Sequence, residues 1–122
     1  MPAYVILDHD HPQQHWDFML EDGATLATWR LAIPPQAGQT IAAEPSFPHR
    51  RAYLDYEGPV SGDRGTVVRW DRGEYVALAE TDGRIEVLLR GSRIAGRATL
   101  SRNPEGTDWT FYLTASASVG SS

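Results

Sequence analysis

Turn-forming clusters recur along this chain between short β-favouring runs, and that spacing leaves room for little but antiparallel strands. Asp22-Gly23, Ser61-Gly62-Asp63-Arg64-Gly65, Asp71-Arg72-Gly73, Thr81-Asp82-Gly83 and Asn103-Pro104-Glu105-Gly106 supply residues that tolerate or preset turn geometry. Between and around them, β-favouring runs at 4–7, 15–21, 24–31, 66–70, 74–80, 84–90, 96–101 and 108–114 predict strands. Pro34, Pro35, Pro45 and Pro48 argue against helix over 34–49, where an ordered loop or an edge strand is expected. Residues 50–58 are predicted as one or two helical turns, with Tyr53 one turn beyond His49. The expected fold is all-β: a compact single-domain barrel or sandwich of antiparallel strands with short helical turns. It would span residues 1–114, and the small polar segment 115–122 is expected to be a disordered tail.

A chain of 122 residues is long enough to bury a core without covalent staples. There is no cysteine, so disulfides, thiolate zinc sites and cysteine nucleophiles are excluded, and any metal must use nitrogen and oxygen ligands. No apolar run reaches membrane-spanning length, and the first residues lack the pattern of a secretory signal, so a cytoplasmic location is expected. The net charge of −5 argues against sequence-blind coating of nucleic acid, although the charge is unevenly spread. Asp8, Asp10, Asp17, Glu21 and Asp22 face only Arg30 in the first forty residues, while the other ten of the 11 bases, all arginine, lie between Arg50 and Arg102.

Chemistry concentrates in residues 9–21. Three of the four histidines, His9, His11 and His15, are interleaved there with carboxylates. From His15 onward the pattern alternates: Trp16, Phe18 and Leu20 are predicted to face the core, while His15, Asp17, Met19 and Glu21 fall on the opposite face. His11, beside Pro12, reads as a solvated loop residue. With His49 recurring beside Tyr53, two imidazoles and a carboxylate would leave open coordination positions on Mn²⁺, Fe²⁺ or Zn²⁺. His15-x-Asp17 with distal His49 also has the composition of the facial triad of ferrous oxygenases. Arg50 and Arg51 are either a solvated pair or a bidentate phosphate clamp.

The residues also resemble a known family. His9-x5-His15-Trp16-Asp17-Phe18-x-Leu20-Glu21 is similar to the His-x5-His-Tyr-Asp-Phe-Arg-Leu-Glu segment of the 3′-phosphoesterase domain of bacterial DNA ligase D, an end-healing module of nonhomologous end joining. The likeness continues through Gly23-x-x-Leu26-x-x-Trp29, His49-x3-Tyr53-x-Asp55-Tyr56-Glu57-Gly58, Gly65-Thr66-Val67-Val68-x-Trp70-Asp71-Arg72-Gly73 and Gly96-Arg97-x-x-Leu100. It implies a barrel-like fold whose groove holds a divalent metal, Mn²⁺ foremost with Zn²⁺ as the alternative, together with a DNA or RNA 3′ end on a primer-template. His9, Asp17 and His49 would then be the metal ligands, His15 would contact the scissile phosphate, and Tyr53 would support the site. The implied reactions are removal of a 3′-phosphate or a 3′-terminal ribonucleoside, with end-joining ligase or polymerase proteins as partners.

Departures from the family pattern fall among the phosphate-gripping positions. Met19 stands where the pattern has arginine, Leu7 where it has glutamine, and Ile41 where it has a base. Arg30, Arg50, Arg51 and Arg64 are the candidates to replace those groups. The alternative expectation is a weak or non-catalytic nucleic-acid or partner-binding module that keeps the fold and the metal site.

Overall fold

The computed structural model describes residues 2–115. Nine strands carry the chain: β1 (Ala3–His9), β2 (His15–Asp22), β3 (Thr25–Leu31), β4 (Thr40–Arg50), β5 (Gly58–Pro59), β6 (Thr66–Thr81), β7 (Arg84–Gly91), β8 (Ala95–Arg102) and β9 (Trp109–Ala115). One 3₁₀ turn, Arg51–Leu54, follows β4. The strand order is β1-β2-β3-β4-β9-β8-β7-β6-β5, and β1 also pairs with β6. Eight strands therefore close into an antiparallel, barrel-like ring, with the two-residue β5 hanging on β6. The all-β expectation holds. Among the described residues no helix is long and apolar enough to cross a membrane. Ala115, placed by the sequence reading in a tail, is the last residue of β9; the rest of that predicted tail, 116–122, lies outside the described residues.

One expectation is corrected. Asp71-Arg72-Gly73 does not end a strand: β6 runs unbroken through it for 16 residues. Its first part pairs with β1 and its second with β7, and the register with β1 shifts between Ile6 and Leu7. The Asp-x-Gly signal marks this change of partner rather than a reversal. A Cβ on Gly73 would sit 2.1 Å from the Arg90 carbonyl oxygen, so glycine is there to let β7 approach. Residues 40–49, expected as an ordered loop or an edge strand, fall in the 11-residue strand β4, Pro45 and Pro48 included. Its pairing with β9 stops at Ala43, and both prolines fall in the remainder, which pairs with β3 alone. A missing N–H is tolerable along a strand with one open side.

Alternation along each strand sorts the apolar residues onto two faces. Tyr4, Ile6, Phe18, Leu31, Leu100 and Phe111 belong to the large cluster that fills the ring. Their neighbours Val5, Leu7, Met19, Leu26 and Val67 form a second cluster on the outer face, covered by Leu54 from the 3₁₀ turn. Each such side chain contributes about 1.5–3 kcal/mol when fully withdrawn from water. This outer cluster is the floor on which the polar site stands.

Candidate active site

β1 and β2 lie antiparallel with His9 opposite His15, and β3 places Arg30 opposite Asp17. His9, His15, Asp17 and Arg30 thereby share the outer face, which the alternation from His15 predicts for His15 and Asp17. Phe18 and Leu20 are buried in the ring, and Trp16 packs against that cluster. His15 and Asp17 are 5 % and 4 % exposed. A polar pair so deeply buried must find partners.

The partners define the tautomers. His9 Nε2 lies 2.8 Å from the Arg64 carbonyl oxygen, His15 Nδ1 2.9 Å from that of Gln13, and His49 Nδ1 2.9 Å from that of Phe47. A carbonyl oxygen only accepts, so each of these nitrogens carries the hydrogen. In a neutral ring the other nitrogen then presents a lone pair. His9 Nδ1 stands 3.4 Å from Asp17 Oδ2 and His15 Nε2 3.1 Å from Asp17 Oδ1, so two lone pairs converge on a carboxylate. Such a donor set is relieved by a second ring proton or by a cation shared among the three groups. Among the described residues, these are the side chains whose potential ligand atoms all lie within 4.8 Å of one another. Anchoring an imidazole through its far N–H to a carbonyl is the usual support of a metal-binding histidine. The residues present fit a divalent cation with nitrogen and oxygen ligands.

For His15 the protonated alternative is also favoured. Burial pulls its pKa down, but the hydrogen bonds to Asp17 and the Gln13 carbonyl, with the charge of Asp17, outweigh both burial and nearby Arg30, leaving it above the ordinary histidine value.

A cavity of about 400 Å³ opens beside this group. His9, Asp17, His49 and Tyr53 line it, with Leu7, Met19 and Val67 among its apolar lining residues. His49 thus faces the same space as His9 and Asp17 without joining the tight three-residue group. Its ring meets Tyr53 edge-on at 5.7 Å and is stacked on Phe47 at 4.7 Å. The contact predicted between His49 and Tyr53 forms, although His49 lies at the end of β4 rather than on a helix. His15 does not line this cavity; it lines a second groove on the other side.

The four candidate arginines take different places. Arg51 is paired with Glu21. Arg64 lends its carbonyl to His9 while its side chain grips Ser61, with Nε donating at 2.7 Å. Arg50 is exposed at the cavity wall. Arg30 is half-buried and lines both the cavity and the groove. Among the cavity residues that the sequence did not assign to the site, two carry aromatic rings. His11, read as a solvated loop residue, lines the cavity, and so does Phe47, which is 65 % exposed. The only advance signal for Phe47 is its place two residues before His49, on the same face of a strand.

Residues 7–102 match the family described as the DNA ligase D 3′-phosphoesterase domain. A multifunctional non-homologous end joining DNA repair protein LigD from Mycobacterium tuberculosis is 32 % identical over 119 residues, covering 90 % of this chain and 16 % of its own length. The corresponding LigD protein of Pseudomonas aeruginosa is 30 % identical over 122 residues, covering 90 % of this chain and 14 % of its own length. The chain therefore spans about a sixth of these relatives. With the match covering most of its strands, including those that carry His9, Asp17 and His49, the chain belongs to the DNA ligase D 3′-phosphoesterase domain family.

Proposed function

We propose that this protein is a divalent-metal-dependent phosphoesterase that acts on nucleic-acid 3′ ends, removing a 3′-phosphate or a 3′-terminal ribonucleoside in the repair of broken ends. The observation that carries the reading is the convergence of His9 Nδ1 and His15 Nε2 on the buried carboxylate of Asp17. Family membership supports end processing, since the relatives are named for non-homologous end joining.

His9, Asp17 and His49, which share one cavity, would hold the metal, Mn²⁺ by preference and Zn²⁺ otherwise. When bound, the ion supplies charge neutralisation at a phosphate oxygen and a lowered pKa for water. His15 stands across Asp17, held by the Gln13 carbonyl, where it can offer a proton to the departing oxygen. Tyr53 props the His49 ring from its edge. DNA or RNA 3′ ends and end-joining ligase or polymerase proteins are the partners this reading assigns.

Incubation with Mn²⁺ and a primer-template ending in a 3′-phosphate or a 3′-ribonucleotide tests it, with His9→Ala as control. Turnover in the unaltered protein and none in the variant is expected; equal rates overturn the reading. A second reading follows from the cavity lining. Leu7 and Met19, each 1 % exposed, put apolar atoms where the family pattern has polar or basic groups, which favours an end-binding module without cleavage. Arg-poor contact with a transferring phosphoryl group costs about a hundredfold or more in rate. End binding that survives in the absence of turnover distinguishes this second reading.

A further inference from the structure

Arg30 stands at a boundary. It lines the cavity that holds His9, Asp17 and His49, and it also lines the groove of about 1080 Å³ that begins at His15. Its Nε is buried with no hydrogen-bond partner, and among the described residues it enters no ion pair within 4.0 Å. Its position opposite Asp17 on one sheet face brings the Cβ atoms to about 4.5–5.5 Å. A half-buried guanidinium without an anion is poised to take one.

The two spaces it joins differ in charge. On the cavity side stand His9, His11, His49, Arg50 and Arg64, against the single carboxylate of Asp17. On the groove side Arg30 is the only arginine among the described lining residues, and the walls carry Glu44 and Asp108. That groove also presents Trp109, half-buried and 6.4 Å from Trp29, together with the amides of Gln13 and Asn103. It suits a flat, uncharged, hydrogen-bonding body and repels a further phosphate.

We infer that Arg30 grips the scissile phosphodiester, and that the groove between His15 and Trp109 receives the single terminal nucleoside that leaves, the rest of the strand lying on the basic side. The inference rests on the phosphoesterase reading and deepens it, by making the diester the preferred substrate and fixing the direction of the strand. In the step, a water oxygen bonds to phosphorus as the bond to the nucleoside O5′ breaks. The proton the water loses is matched by one gained at O5′. The strand keeps a 3′-phosphate, and the nucleoside leaves with a free hydroxyl. Glu44 and Asp108 confine the groove to a terminal unit, because a nucleotide bearing its own 3′-phosphate meets two carboxylates there.

The test uses the full chain with Mn²⁺ and a dinucleoside phosphonate whose bridging carbon cannot be cleaved, followed by quenching of tryptophan fluorescence. Arg30→Gln is expected to weaken binding at least tenfold, with Arg30→Lys recovering part of the loss. Mn²⁺ affinity should stay within twofold and the thermal midpoint should show both variants folded. A 3′-phosphate added to the probe's terminal sugar is expected to weaken binding to the unaltered protein, and the exposed-site variant Asp108→Arg to reverse that order. Unchanged affinity in Arg30→Gln, or indifference to the added phosphate, overturns the inference. Arg30-dependent binding without turnover of any primer-template would sink the phosphoesterase reading and the cleavage step with it, leaving Arg30 and the groove as a site that only binds a diester. Turnover that ignores Arg30 would keep the phosphoesterase reading and overturn this inference.

Discussion

The Tyr4 hydroxyl donates a 2.7 Å hydrogen bond to Oδ2 of Asp71, joining β1 to the point on β6 where that strand exchanges one partner for another. The same carboxylate accepts from the backbone N–H groups of Arg93 and Ile94, which fastens the β7–β8 turn to the ring. Asp71 is 3 % exposed, and burial with the adjacent carboxylate drives the Tyr4 hydroxyl far above the ordinary phenol range. Gly91 makes the arrangement possible, because a Cβ there would lie 1.9 Å from the Tyr4 hydroxyl and 2.2 Å from Asp71 Oδ2.

Tyr4→Phe is therefore expected to destabilise the protein by about 1.5–3 kcal/mol, the scale for a hydrogen bond to a charged group. Urea denaturation measures it. Gly91→Ala should cost more, since both clashing atoms are fixed by the bond it would break. A loss below ~0.5 kcal/mol in Tyr4→Phe would show the bond to be incidental.

Removing the carboxylate charge at the candidate site should weaken metal binding and remove the stabilisation that bound metal confers. Asp17→Asn leaves His9 and His15 facing a neutral amide, so Mn²⁺ binding is expected to fall by tenfold or more by calorimetry. Metal at a hundred times its dissociation constant stabilises the unaltered protein by about 2.7 kcal/mol, seen as a raised thermal midpoint that chelator reverses. The variant should lack that rise.

His15 gives the metal-free protein a pH dependence of definite sign. Its folded pKa is raised above the unfolded value, so its contribution to stability is complete below about pH 6.5 and lost as pH rises through the folded value. Urea midpoints measured from pH 5.5 upward in chelator should fall across that window. His15→Gln should flatten the fall. A midpoint rising over the same range would contradict the assigned hydrogen bonds to Asp17 and Gln13.

Leu54 is the lid of the outer cluster, 6 % exposed against Val5, Leu7, Met19, Leu26 and Val67. Leu54→Ala is expected to cost about 2–4 kcal/mol. It should also loosen the Arg51–Leu54 turn that sets Tyr53 against His49, weakening Mn²⁺ binding more than an exposed control such as Tyr112→Ser. Equal metal affinity in both variants would separate the lid from the site.

The strands were legible wherever one residue faced the core and the next faced out, as from His15 to Glu21, since period two depends on backbone geometry alone. Asp22-Gly23 was read correctly as a reversal, yet Asp71-Arg72-Gly73, of like composition, was not a reversal at all. Local sequence cannot tell a turn from a bulge, because the difference lies in whether a distant strand, here β7, comes to pair. The prolines of β4 left loop and edge strand both open for a related reason: whether a missing N–H is costly depends on which neighbour stops at Ala43.

By itself the sequence determined the all-β class, the face that carries His15 and Asp17, and the likeness to an end-processing family. Alternation and residue chemistry are properties of the chain. Only the tertiary structure decided that Gln13, Phe47 and Arg64 carbonyls fix the tautomers of three histidines, that His49 shares a cavity with His9 and Asp17, and that Arg30 divides two spaces of unlike charge. His9 and the Arg64 carbonyl alone are 55 positions apart, and their contact exists only once β1 has closed the ring against β6.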